Sequence, residues 1–365
     1  MIYIIILILI LIIILIIILA FDKKAVPIFL YHQVNPLSNV FPELFEEHLK
    51  IIEKHKMKTI TITDFYMNKV EKNSILLTFD DGYYDNFKYV FPLLRKYEMK
   101  ATIFLNTLYI GETRNACPLI RDNNTVNLEA MKQYLETGSA VINQYLTWDE
   151  IKKMYDSGLV DFQAHSHKHM AMFTDTKISG LTQKNKMEAP DLYLYGKLED
   201  NYPIFPKRGE YTGRAVIINK DFFDIFKKYY EENIKGKYSK EEELKKCQEF
   251  IDANKKYFSK ETESEFQNRI KEDFLVNKDL IETHLGNRVK FFCWPWGHRS
   301  KEAIKFLKTL GVGGFITTKK GTNPTYPYWD KIKRIELRKY TKRKFLINML
   351  IARNLILGKI YGWLS

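Results

Sequence analysis

Residues 74–82, Ser74-Ile-Leu-Leu-Thr-Phe-Asp-Asp-Gly82, decide how this chain folds. A short apolar run bounded by turn residues reads as a strand buried on both faces, the mark of a parallel sheet. The run ends in two carboxylates and a glycine. Adjacent carboxylates after a buried strand are costly unless a cation or a proton offsets them. A strand-end turn points the two in different directions, so one can hold a metal while the other stays free as a base. The alternative is a solvated turn whose aspartates cap the following helix.

The same pattern recurs along the chain. Val26–His32, Lys58–Ile62, Ala101–Leu105, Val160–Ala164, Lys290–Trp294, Val312–Ile316 and Lys333–Leu337 read as further strands. Helical spacing runs through Phe45–Lys56, 84–97 and Glu302–Leu310, and Thr147-Trp-Asp-Glu150 is a capping box for a helix ending near Asp156. Strands alternating with helices predict parallel βα units. The expected fold is α/β, a distorted (β/α) barrel of about seven strands. No glycine-rich phosphate loop follows the first strand, which excludes a dinucleotide fold. Residues 25–170 give the first part of the barrel and 286–340 the last. Between them, 171–285 is charge-rich, with helical patterns at 220–252 and 257–285, and reads as a mostly helical insertion or lid.

Residues 2–19 are apolar apart from Tyr3. Eighteen residues make about 27 Å of helix, close to the ~30 Å bilayer core. Residues 1–21 are therefore expected to be a single-pass transmembrane anchor. A cleaved signal peptide is the alternative, but a charged leading region and a small-x-small cleavage site are missing. Lys23 and Lys24 follow the run, and the positive-inside rule would keep the body in the cytoplasm. The tail, 341–365, mixes Lys and Arg with Phe, Leu, Ile and Trp363, and reads as a basic amphipathic helix on a membrane or as a final barrel helix packed on the core. The formal net charge of +13 favours anionic partners. The lysines are scattered and no zinc-finger spacing or RNP-type motif occurs, so nucleic acid is not expected. Cys117, Cys247 and Cys293 are too few and too far apart for a disulfide framework or a cysteine zinc site.

The chemistry concentrates at strand ends, where a parallel barrel carries its catalytic groups. His32, Asp80-Asp81, His165-Ser-His167-Lys-His169 and Trp294-Pro-Trp296-Gly297 all fall there. His165 and His169 are four apart, which on a helical turn puts both imidazoles on one face for a metal. Two histidines and one carboxylate leave coordination positions open. Tyr83, Tyr84, Trp294 and Trp296 offer stacking surfaces for sugar rings, or rim packing.

Thr78-Phe-Asp-Asp-Gly82, His165-Ser-x-x-His169 and Trp294-Pro-Trp-Gly297 resemble, in order, the first three motifs of the polysaccharide deacetylases, the NodB-homology group or carbohydrate esterase family 4. The resemblance spans about 26–337, interrupted by the insertion. It implies hydrolysis of N-acetyl groups on an amino-sugar polysaccharide or glycolipid, with a divalent metal, zinc for preference. Asp81, His165 and His169 would be the ligands and Asp80 the general base, and the backbone N–H of Trp296 would help hold the oxyanion. The amide nitrogen needs a proton to leave. The family's late Leu-x-His motif is absent, since no His follows His298. Phe29-Leu-Tyr-His-Gln-Val34 instead looks like the early segment of the circularly permuted poly-N-acetylglucosamine deacetylases, which implies His32 as general acid. The arginine that usually precedes the third motif's proline by two residues is Cys293 here, and Arg334 on the last strand is the candidate replacement, counted among the residues near the substrate. The family analogy implies an extracytoplasmic domain. Three other readings stay open: a hydrolase of another non-peptide C–N bond, an inactive glycan-binding protein at the membrane, and a basic protein that binds anionic polymer without catalysis.

Overall fold

The computed structural model describes residues 2–21, 25–114, 122–337 and 341–364. Cys117, Lys23, Lys24 and Arg338 lie outside the described residues. Seven strands build one all-parallel, curled sheet: β1 (Ile28–Tyr31), β2 (Ser74–Phe79), β3 (Ala101–Leu105), β4 (Val160–Ala164), β5 (Phe291–Cys293), β6 (Gly314–Ile316) and β7 (Ile335–Glu336). Their spatial order is β6-β5-β4-β3-β2-β1-β7. The edges are drawn together just before β7, where Ile332 makes a parallel bridge to Ile316. The Thr317 N–H donates to the Ile332 carbonyl (2.9 Å), and the Ile332 N–H to that of Phe315 (3.0 Å).

The register explains the site. Tyr31 lies beside Phe79, Phe79 beside Ile103, Leu105 beside Ala164, and Cys293 beside Ile316. The next residues, His32, Asp80, Asn106, His165 and Trp294, therefore leave the sheet along one rim. Below it, β2, β3 and β4 are buried along their whole lengths. Phe45, Leu49 and Ile52 of helix Pro42–Lys54 close one side of this core. Each buried Leu, Ile or Phe contributes about 1.5–3 kcal/mol, so the rim rests on a stiff base.

Two local expectations change. Lys58–Ile62 pairs with β2 only at Lys58–Thr59, because Thr61 and Asp64 form a capping box that starts helix Ile62–Tyr66. The helix after Gly82 opens with a π turn, Asn86–Val90, before Phe91–Lys96. The capping box at Thr147 and helix Trp148–Asp156 stand as read.

Residues 171–260 hold a second core. Strands Ala171–Phe173, Lys207–Gly209, Val216–Ile218 and Phe258–Lys260 form a small antiparallel sheet, backed by helices Asp221–Asn233 and Lys240–Ala253. Phe173, Tyr202, Phe222 and Phe223 fill the space between. Helix Glu263–Leu285 departs from this body. Its Phe266, Ile270, Phe274, Ile281 and Leu285 join the barrel core.

At the amino end, a helix runs Ile2–Phe21, and its described side chains, Tyr3–Ile14, are all exposed. Among the residues with described side chains the apolar stretch of this helix is Tyr3–Ile14, and no single helix there is long and apolar enough to cross a membrane. The tail divides. Helix Lys342–Ala352 buries Phe345, Met349 and Ala352 in the barrel core, whereas helix Leu355–Leu364 leaves Ile356, Ile360, Trp363 and Leu364 exposed.

Candidate active site

The rim opens into a cleft of about 820 Å³ lined by His32, Asp80, Asp81, His165, His169 and Trp296, among others. Asp81 Oδ1 lies 3.5 Å from His165 Nε2 and 3.8 Å from His169 Nε2. The three donor atoms are within 4.8 Å of one another. His165 Nδ1–H donates to the Cys293 carbonyl (2.8 Å), which leaves Nε2 with its lone pair toward Asp81. Burial lowers both imidazoles to about 4, so both are neutral at pH 7. Asn106 Nδ2 donates to Asp81 Oδ1 (2.9 Å) and orients the carboxylate. Two neutral imidazoles and one oriented carboxylate suit a divalent cation such as zinc, and the fixed Nδ1 partner is what such a ligand needs.

A second group, Asp80, His165 and Cys293, is equally close. Its carboxylate is already taken, and burial pushes the Cys293 thiol up, so it is a poorer donor set.

The histidines sit on a loop rather than on the helical turn expected from their spacing. Ser166 (φ 75°) and His169 (φ 58°) are both left-handed, and the Ser166 Oγ accepts from the His169 N–H (2.9 Å). Asp81 (φ 74°) and Trp296 (φ 52°) share this conformation. Four such residues around one cleft mark a backbone held in place by its surroundings.

Part of that support comes from helix Glu263–Leu285, which lies within the stretch 171–285 expected to form the insertion. Asp273 accepts the N–H groups of His167 (2.8 Å) and Lys168 (3.0 Å), and Tyr211 also donates to it (2.6 Å). Asn277 Nδ2 reaches the carbonyls of Leu105 (2.9 Å) and Ser166 (2.6 Å). His167 turns away from the cleft and pairs with Thr107 Oγ1 (2.9 Å). One sequence signal existed: Asp273 and Asn277 are polar residues four apart on a helix face otherwise made of Phe266, Ile270, Phe274 and Ile281.

Asp80 is held from behind. Arg334 Nη1 and Nη2 donate to its two oxygens at 2.7 and 2.8 Å. Arg334 also donates to the Thr317 carbonyl (3.0 Å), and its Nη2 lies 3.0 Å from Cys293 Sγ. Burial alone would raise the Asp80 carboxyl, but the Arg334 guanidinium outweighs it and keeps the group well below the usual carboxylate range. Arg334 is fully buried, so it orients Asp80 and does not touch a substrate in the cleft. Cys293 is small enough to leave the space the guanidinium occupies.

His32 lies across the cleft on the loop after β1. Asn86 Nδ2 donates to its carbonyl (3.1 Å), and Asp85 accepts from Val34 N–H (3.1 Å) and Asn35 Nδ2 (2.6 Å), which fixes that loop. The aromatic candidates separate. Trp296 is 39% exposed and packs edge-on against His169 at 4.4 Å. Tyr83 lines the cleft while stacked on Tyr145 (4.9 Å). Trp294 is fully buried and stacked on Phe315, so it supports the floor and offers no open face. Tyr84 faces the Arg114 guanidinium, 3.8 Å from its ring centre, and is not among the residues lining the cleft.

Residues 67–219 match the family model described as polysaccharide deacetylase, a span that holds the first two of the three motifs, Thr78–Gly82 and His165–His169. A poly-beta-1,6-N-acetyl-D-glucosamine N-deacetylase of Staphylococcus epidermidis is 27% identical over 198 residues, covering 52% of this chain and 58% of that protein. Among curated relatives the matched span covers 33% to 58% of the relative's length. Among solved structures, a de-N-acetylase from Aggregatibacter actinomycetemcomitans superposes with a TM-score of 0.57 at 15% identity, covering 89% of this chain and 99% of that one. The BpsB deacetylase domain from Bordetella bronchiseptica gives 0.53 at 16%, covering 87% and 97%. At these identities the solved structures establish likeness of fold.

Proposed function

We propose that this chain, which carries a polysaccharide deacetylase match over residues 67–219, hydrolyses N-acetyl groups on a polymer of N-acetylglucosamine type. The observation that carries the reading is the convergence of Asp81, His165 and His169 with a second, separately held carboxylate, Asp80, beside them. Bound by these three ligands, a divalent metal, zinc for preference, would polarise the acetamide carbonyl and acidify the attacking water.

The chain's own groups supply the rest. Asp80 stays ionised at neutral pH and accepts the proton of the attacking water. The Arg334 clamp keeps its carboxylate from rotating away. His32, on the fixed loop across the cleft, gives a proton to the departing amine nitrogen. The N–H of Trp296, held by its left-handed backbone, is the candidate donor to the developing oxyanion, and the ring of Trp296 is the candidate stacking face for a sugar. Tyr83 lines the same cleft. Four well-separated parts of the chain thus meet in one cleft.

The apolar helix Ile2–Phe21 is proposed to anchor the protein in a membrane, with the catalytic domain outside the cytoplasm. Eighteen consecutive residues without a charge and the exposure of Tyr3–Ile14 support the anchor, and the side rests on the family analogy alone.

The test is metal analysis of the purified protein together with acetate release from chito-oligosaccharide and poly-β-1,6-N-acetylglucosamine. One divalent ion per chain and release abolished by Asp80→Asn are expected. Release that persists in Asp80→Asn, or after chelation, would remove the reading.

A further inference from the structure

Helix Leu355–Leu364 has two unlike faces. Gly358 and Gly362 point inward, against Thr322 and the Lys320 backbone: a Cβ added at Gly358 would lie 2.4 Å from Thr322 Cγ2, and one at Gly362 2.6 Å from the Lys320 carbonyl oxygen. The helix is therefore laid tightly on segment 320–322. Ile360, Trp363 and Leu364 point the other way, exposed by 49%, 83% and 72%, with Ile356 on the same stripe. Such a stripe on an otherwise packed domain marks an interaction surface.

Two observations decide what covers it. Segment 320–322 runs into Asn323–Pro324, which pairs antiparallel with Ala25–Val26. Those are the first described residues after the apolar helix Ile2–Phe21, so the segment on which helix Leu355–Leu364 is laid continues into the pairing partner of the chain that follows that helix. The surroundings are also cationic. Lys359 lies within the exposed stripe, Lys319 and Lys320 are exposed beside the inner face, and Lys331 and Lys359 are close enough to lower the Lys333 ammonium, after burial, by their charge. An apolar stripe bordered by lysines, with a tryptophan on it, matches the interface of a bilayer carrying anionic headgroups.

We infer that helix Leu355–Leu364 lies in the plane of an anionic lipid surface, with Ile360, Trp363 and Leu364 inserted and Lys359 at the headgroups, as a second contact beside the amino-terminal helix. It lies on the bilayer and does not cross it. Helix Lys342–Ala352, bent from it by 119°, is fixed to the barrel through Phe345 and Met349. The inference is independent of the deacetylase reading and adds to the anchor proposal.

The full chain is reconstituted in vesicles of phosphatidylcholine with or without phosphatidylglycerol, using bromine-labelled acyl chains. Co-flotation reports the amino-terminal anchor. The emission difference between wild type and Trp363→Phe reports helix Leu355–Leu364 alone. Quenching of that difference signal by roughly twofold, stronger with phosphatidylglycerol, is expected for an inserted interfacial tryptophan. Ile360→Asp with Leu364→Asp should abolish the quenching and leave co-flotation and acetate release unchanged. A Trp363 signal that stays unquenched while the protein floats overturns the inference, as when a second copy or the amino-terminal helix covers the stripe. Quenching that is equal on both vesicle types removes the role of Lys359 and its neighbours. A chain that fails to float at all overturns the inference and the anchor together.

Discussion

Replacing Arg334 by Met tests how the site is built. The side chain makes two charge-assisted bonds to Asp80, one bond to the Thr317 carbonyl and contacts to Thr78 and Cys293. Asp80 is 2% exposed, and its other side-chain contact among these residues is the Cys293 thiol at 3.5 Å. Removing one member of a buried ion pair leaves the other charge uncompensated, which costs about 3–5 kcal/mol. For a domain of this size that lowers the melting temperature by roughly 5–15 °C. The catalytic effect is separate. A carboxylate free to move by an ångström loses on the order of 10²-fold in kcat, with KM little changed, because Arg334 does not touch the substrate. Thermal unfolding and steady-state acetate release measure the two. The positioning role is isolated by adding Cys293→Arg to Arg334→Met, since the sulfur stands 3.0 Å from the guanidinium and that position reaches the same carboxylate. Recovery of at least about tenfold in kcat is expected if aiming Asp80 is what the arginine does. A single variant that melts like wild type and keeps its turnover refutes the argument.

Asp273→Ala and Asn277→Ala should each lower zinc affinity by about 10–100-fold by loosening the histidine loop, read by competition with a chromogenic chelator, although neither residue would touch the ion; unchanged affinity in both would show that the loop holds itself. His32→Ala should reduce turnover by about 10²–10⁴-fold and leave metal content intact; full turnover would disprove the proton-donor assignment. Burial pushes the Asp85 carboxyl up to about 7, against the four donor groups of Val34, Asn35 and Asn86 that face it. Its folded value lies above the ordinary carboxylate value, so the folded state binds the extra proton, and the contribution of Asp85 to stability falls as pH rises from about 4 to 7 and then levels off. In urea titrations across that window the stability difference between wild type and Asp85→Asn should shrink as pH rises, and a difference that does not change with pH would refute the assignment.

The strand ends were legible because buried parallel strands are nearly all apolar, so Asp80-Asp81 after β2 and His165 after β4 stand out against them. The capping box at Thr147 was legible because it is local. What the sequence hid was long-range. Asp273 lies more than a hundred residues from the N–H groups it accepts, and nothing near it names its partners. The strands Lys207–Gly209 and Val216–Ile218 are three residues long and half exposed, too short for an alternating pattern to emerge from a charge-rich stretch. Lys58–Ile62 has strand-forming side chains, but the Thr61–Asp64 capping box turned its end into a helix. Arg334 was suspected as a substitute for the missing arginine; its burial behind Asp80 showed only in three dimensions, as did the loss of Trp294 and Tyr84 as open sugar faces.

The bond between Arg334 and Asp80 joins the last strand of the sheet to the second, across β1 and close to the point where the sheet's two margins meet. The carboxylate proposed as the base and a structural seam therefore share one guanidinium. Adjusting the acidity of the base by changing that residue also opens the staves of the barrel. The neighbourhood can drift only in step: an arginine may leave position 334 if another arrives from position 293, and only one of the two is needed at a time.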